Sequence, residues 1–153
     1  MSKYNSFIKR EYDYAIRIAA FLGSQYPDGY RSISDVSRLL MISHSITSKI
    51  AHKLQKTGIL KSYRGRNGGI ALAKDPNTIS FYNILEAMGF NSTMNDCIVD
   101  PGICPLVDMC KVHLYFLNME KDIHHSLKNT FTSSFLFKED DLITARKKCL
   151  SLT

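Results

Sequence analysis

"ISHSITSKIAHKLQKTGILKSYRGRNGGIALAK", residues 42–74, carries two patterns back to back. In the first, Ile46, Ile50 and Leu54 recur at helical spacing, and Ala51 joins them to make a buried stripe. The opposite face reads His44, Ser45, Thr47, Ser48, Lys49, His52 and Lys53, and Gly58 suits a left-handed cap at the helix end. Just upstream, "SISDVSRLLM" (32–41) offers Ser32 or Ser34 as an N-cap, with Ile33, Val36, Leu39 and Leu40 on one side. Two short helices joined by a tight turn make a helix-turn-helix pattern, although an ordinary antiparallel pair with a solvated face has the same spacing.

The second pattern separates those readings. "ILKSYRGRNGGIALAK" predicts strands over Ile59–Tyr63 and Ile70–Ala73 around a turn rich in glycine, with Arg64, Gly65, Arg66 and Asn67 at its tip. A glycine-rich nucleotide loop should open a helix, whereas this one enters a strand. A helix-turn-helix followed by a hairpin with a basic tip is a winged helix. Its second helix enters the major groove of DNA, and its wing touches phosphates or the minor groove. His44, Ser45, Thr47, Ser48 and Lys49 are then the candidates for base edges, with Lys53, Arg64, Gly65, Arg66 and Asn67 for the backbone and groove.

Outward from this segment the chain is mostly helical. Apolar residues from Phe7 to Leu22 predict a first helix, which the loop "GSQYPDGYRS" ends. "SFYNILEAMG" (80–89) predicts a short helix capped by Ser80 and stopped at Gly89. From Leu106 to about Phe131, Val112, Phe116, Met119, Ile123 and Leu127 step close to heptad spacing, which suits pairing with a second copy as well as packing on the chain's own core. A last helix is expected near 139–149, with Cys149 a bystander. The expected fold is mainly α with a small β-hairpin wing. Residues 1–78 form a winged helix-turn-helix domain, and 79–153 hold a cysteine loop and a long C-terminal dimerisation helix.

Bulk composition narrows the partners. A chain of 153 residues, 44% hydrophobic, buries a core without needing disulfides or metal to fold. A net charge of +6 favours an anionic partner, nucleic acid before membrane. No secretory signal and no run of about 18 apolar residues is present, which predicts a cytoplasmic protein with reduced thiols and no membrane partner. No nucleophilic triad, paired-carboxylate or phosphate-loop arrangement points to an enzyme or to a small-molecule substrate.

Three of the four cysteines lie in "CIVDPGICPLVDMC", residues 97–110. Cys97, Cys104 and Cys110 are separated by six and five residues, wider than the pairs of a structural zinc site. A disulfide would strand one thiol, and Asp96, Asp100 and Pro101 are poor company for a core. Wide gaps and thiolate ligands suit an iron–sulfur cluster, and His113, three residues after Cys110, is a candidate fourth donor.

These marks together resemble the Rrf-two family of bacterial winged-helix regulators of the iron–sulfur cluster type. The resemblance rests on "YDYAIR" (12–17), "LQKTGIL" (54–60), "RGRNGGIALAK" (64–74) and the three-cysteine loop. It implies a homodimeric repressor on a palindromic operator in double-stranded DNA, with one cluster per subunit, [2Fe–2S] or [4Fe–4S], that senses iron, nitric oxide or redox state. By position, Cys97, Cys104 and Cys110 fill three ligand places. The fourth is His113 by one branch's pattern, or Asp13 reaching from the partner subunit by another's. A cofactor-free thiol–disulfide switch acting on DNA is the alternative.

Overall fold

The computed structural model describes residues 8–91 and 93–150. Phe7, where the first helical pattern begins, and the side chain of Cys149 lie outside the described part. The central element is α1 (Arg10–Gly23), in which Ala15, Ile18, Ala19, Phe21 and Leu22 are fully buried. Each large apolar side chain removed from water there contributes about 1.5–3 kcal/mol. That is enough for α1 to organise the elements laid around it.

The helix-turn-helix forms as the spacing predicts. α2 (Ile33–Leu40) is capped by Ser32, whose Oγ accepts from the Asp35 amide at 3.0 Å. α3 (His44–Lys56) is capped by Ser43, whose Oγ accepts from the Ile46 amide at 3.4 Å. Between them Met41 adopts a left-handed backbone, φ 55°. The Ser37 hydroxyl donates to the Ile42 carbonyl at 2.6 Å and the Ile42 amide donates back to the Ser37 carbonyl at 3.1 Å. With Ile42 buried, this turn sets the angle between the two helices.

Gly58, φ 69°, releases α3 into β1 (Leu60–Tyr63), which pairs antiparallel with β2 (Gly69–Leu72) in the register Leu60 to Leu72 and Tyr63 to Gly69. Leu60, Ile70, Ala71 and Leu72 face the core, while residues 61–67 are exposed and form the wing. The core continues through α4 (Phe81–Ala87), where Ser80 and Asn83 make a reciprocal capping box and Ile84 and Leu85 are buried.

Residues 96–109 form short turns: α5 (Asp96–Val99) and 3-10 turns at Pro101–Ile103 and Val107–Met109. The long helix α6 spans Lys111–Lys128 and is shorter at both ends than the expected Leu106–Phe131. It starts where the Cys110 thiol caps it and ends before Phe131, whose extended backbone pairs with Ser80. The heptad seam is divided. Leu127 packs against the chain's own core, whereas Val112 is 61% exposed. α7 (Glu139–Leu150) returns to the helix-turn-helix, where the Arg146 guanidinium donates to the carbonyls of Arg38 and Leu39 at the end of α2.

Candidate nucleic-acid interface and cysteine loop

α3 presents part of the face that the sequence assigned to it. His44, Ser45, Lys49 and His52 are exposed, and Ser48 is half-buried. Thr47 is a correction. It is fully buried, and its hydroxyl donates to the Ser43 carbonyl at 3.0 Å, so it cannot reach a base edge. Small size and a β-branch let it fill core space one turn before Ala51, and its hydrogen bond satisfies the buried hydroxyl. Lys53 turns back to donate to the Met88 carbonyl at 3.3 Å, and Lys49 pairs with Glu11 of α1 at 3.1 Å. Neither partner was legible in the sequence, because both lie on elements far away along the chain. At the wing Arg64, Gly65, Arg66 and Asn67 are all exposed, and Gly65 takes φ 109°, which only glycine tolerates readily.

Ser32 donates to the Asp35 carboxylate at 2.8 Å and Arg38 at 3.0 Å. These bonds hold the Asp35 carboxyl below its ordinary pKa. They also neutralise an acid at the start of α2, next to the proposed DNA face.

In the cysteine loop His113 is the meeting point. Its Nδ1 lies 3.3 Å from the Cys97 Sγ, and its backbone amide donates to the Cys110 Sγ at 3.3 Å. Cys104 sits half-buried in the turn between them in sequence, and all three thiols are free. Among the described residues, no three of His, Cys, Asp or Glu converge closely enough to hold a metal ion. Asp13 lies on α1, ion-paired with Arg17 at 2.9 Å. The structure therefore brings Cys97 to the ring of His113 and Cys110 to its backbone amide, and pairs Asp13 with Arg17.

The donor types suit an iron–sulfur group: three free, half-buried thiols in one loop, with an imidazole beside one of them. The surroundings are unusual for a free loop. Val99 (69%), Ile103, Leu106 and Met109 (78%) are exposed, and α6 adds Val112, Leu114 and Tyr115. Large apolar side chains thus stand exposed along the cysteine loop and the first turns of α6.

A helix-turn-helix with a paired-strand wing and a long following helix defines the class as a winged-helix protein. The Rrf2 family, described as "Iron-dependent Transcriptional regulator", matches residues 8–134, and the chain belongs to that family. It is 34% identical over 101 residues to the HTH-type transcriptional regulator NsrR of Geobacillus kaustophilus, covering 65% of this chain and 69% of that one. It is 32% identical over 98 residues to the NsrR of Shouchella clausii, covering 59% and 66%, so the chain spans about two thirds of the length of these relatives. Similar folds are CymR, the global cysteine regulator of B. subtilis (TM-score 0.69, 19% identity, 84% of this chain and 94% of that one), and IscR of T. potens (TM-score 0.63, 19% identity, 84% and 85%). No helix among the described residues is long and apolar enough to cross a membrane.

Proposed function

We propose that the chain acts as a homodimeric transcription repressor, and not as an enzyme, whose grip on a palindromic operator depends on an iron–sulfur cluster held by its cysteine loop. The observation that carries this is the His113 junction. Cys97 touches its ring while Cys110 caps α6 through its amide, so the loop and the long helix share one anchor. Cys97, Cys104 and Cys110 are the thiolate ligands, and His113 is the fourth. Asp13 of a second subunit is the competing fourth ligand. When bound, the cluster supplies an iron core that iron scarcity, nitric oxide or oxidant removes.

The chain's own residues do the rest. Drawing Cys104 toward Cys97 and Cys110 orders residues 97–110 against the first turn of α6, and α6 sets the separation of the two α3 helices in the dimer. His44, Ser45, Ser48 and Lys49 face the bases, and Arg64 and Arg66 meet the backbone. Anaerobically purified protein should be coloured and should lose its visible absorption in Cys104→Ala. Colourless protein that binds zinc stoichiometrically overturns the cluster assignment.

The second reading is a cofactor-free thiol switch, for which Cys97, Cys104 and Cys110 are three free, half-buried thiols within one loop. An oxidised, metal-free protein that still regulates DNA binding through a disulfide of Cys97, Cys104 or Cys110 would select it.

A further inference from the structure

Tyr30 and Tyr63 come from different parts of the chain and meet beside Gly69. Tyr63 closes β1 and is the cross-strand partner of Gly69. On the other side of β2 the segment before α2 pairs with the hairpin. The Arg31 amide donates to the Ile70 carbonyl at 3.0 Å, and the Ile70 amide donates to the Arg31 carbonyl at 2.8 Å. The wing therefore has a third, one-residue edge.

Glycine at 69 makes this approach possible. A Cβ there would lie 2.4 Å from the Arg31 carbonyl oxygen and 3.0 Å from the Tyr30 ring. With no side chain between them, the two rings close over the gap, their centroids 5.0 Å apart and their planes tilted by 38°. Such pairs are usually placed in a core, yet both tyrosines are 41% exposed.

Cations stand on both sides of the pair. The Lys61 ammonium lies 5.5 Å from the Tyr63 ring centroid. A groove of about 560 Å³ runs from Tyr30 and Arg31 to Arg66 and Asn67 at the wing tip. Its acids are Asp28 and Asp35, and Asp35 is already engaged by Ser32 and Arg38. Glu139 approaches Arg31 only at 4.0 Å. Aromatic faces, phenol hydroxyls and the cations Lys61, Arg31 and Arg66, continuous with the wing tip, match a polyanion strung with sugar rings.

We propose that the Tyr30–Tyr63 pair, with Lys61 and Arg31, is a second grip on the sugar–phosphate backbone of duplex DNA beside the wing. The phenol hydroxyls donate to phosphate oxygens and the rings pack on deoxyribose. The contact positions the wing and reads no base, so it acts alike on every sequence. It rests on the DNA-binding reading above.

The test uses the full chain and fluorescence anisotropy with labelled duplexes of unrelated sequence. Tyr30→Ala and Tyr63→Ala should each weaken binding about five- to tenfold on all duplexes, with a smaller loss in Tyr63→Phe. Arg64→Ala serves as the control for the wing. If Arg64→Ala weakens binding and both alanine variants bind like wild type, the tyrosine grip is wrong while the wing stands. If wild-type protein binds no duplex, the underlying DNA reading is what fails. Should the alanine variants lose their helical circular dichroism, nitration of wild-type protein with tetranitromethane decides. Protection of Tyr30 and Tyr63 by duplex supports the grip, and equal nitration with and without duplex overturns it.

Discussion

The Nδ1 of His113 lies 3.3 Å from the Sγ of Cys97, sixteen residues earlier, while the backbone of the same histidine binds Cys110. One residue thus ties the start of the cysteine loop to its end. If His113 is a ligand, His113→Ala should reduce or alter the visible spectrum of anaerobically purified protein, and Asp13→Ala should leave it unchanged. The reverse result, seen by absorption and Mössbauer spectra of the two variants, would assign the site to Asp13 of the partner subunit.

Thr47 and Ser48 are neighbours on α3, one fully buried and one half-buried, and substitution separates their roles. Thr47→Val keeps the buried volume and loses the bond to the Ser43 carbonyl, so it should cost about 0.5–1.5 kcal/mol in chemical denaturation. Its effect on the DNA affinity of the folded protein should be negligible. Ser48→Ala should show the opposite pattern, near-neutral stability with a change in sequence preference. An affinity loss in Thr47→Val at unchanged stability would restore Thr47 to the interface.

Asp35 sets a pH response in the first turn of α2. The Ser32 hydroxyl and then the Arg38 guanidinium lower its pKa in the folded state. Its contribution is therefore present above the unfolded-state value, near 3.8, and is lost as pH falls through the lower folded-state value. Its side chain is 46% exposed, so solvent screens the effect. Asp35→Asn should cost about 0.5 kcal/mol at neutral pH, and the gap to wild type should shrink in acid. Urea midpoints measured between neutral and acid pH check both statements.

Val112 and Tyr115, one turn apart on α6, are each 61% exposed. If this face meets a second copy, the double variant Val112→Glu with Tyr115→Glu should shift the protein from dimer to monomer in analytical ultracentrifugation. The helical spectrum should persist, because no residue of α6 is buried within the described chain. A dimer that survives both charges would place the interface elsewhere.

Much of the fold was legible because its signals are local. Ser32 and Ser80 cap helices as short polar side chains do wherever a helix begins, and Gly58, Gly65 and Gly89 take positive φ where the chain must turn. The apolar period of α3 and the paired runs around "RGRNGG" are of the same kind. So is the clustering of Cys97, Cys104 and Cys110, which singles out the loop by spacing alone.

Tertiary structure decided what depends on partners distant in sequence. Thr47 carries the outward polarity of its helix, and only the packed structure shows it to be buried. The heptad seam of α6 is uniform as a pattern, yet contact with the core captures Leu127 and leaves Val112 to solvent. Arg146 at the end of α2, Lys53 at the Met88 carbonyl and Tyr30 against Tyr63 join residues that no local period connects. Helix caps, turns and amphipathic stripes are settled by interactions within a few residues. Which polar group turns inward, and which distant side chain meets it, is settled only when the elements pack.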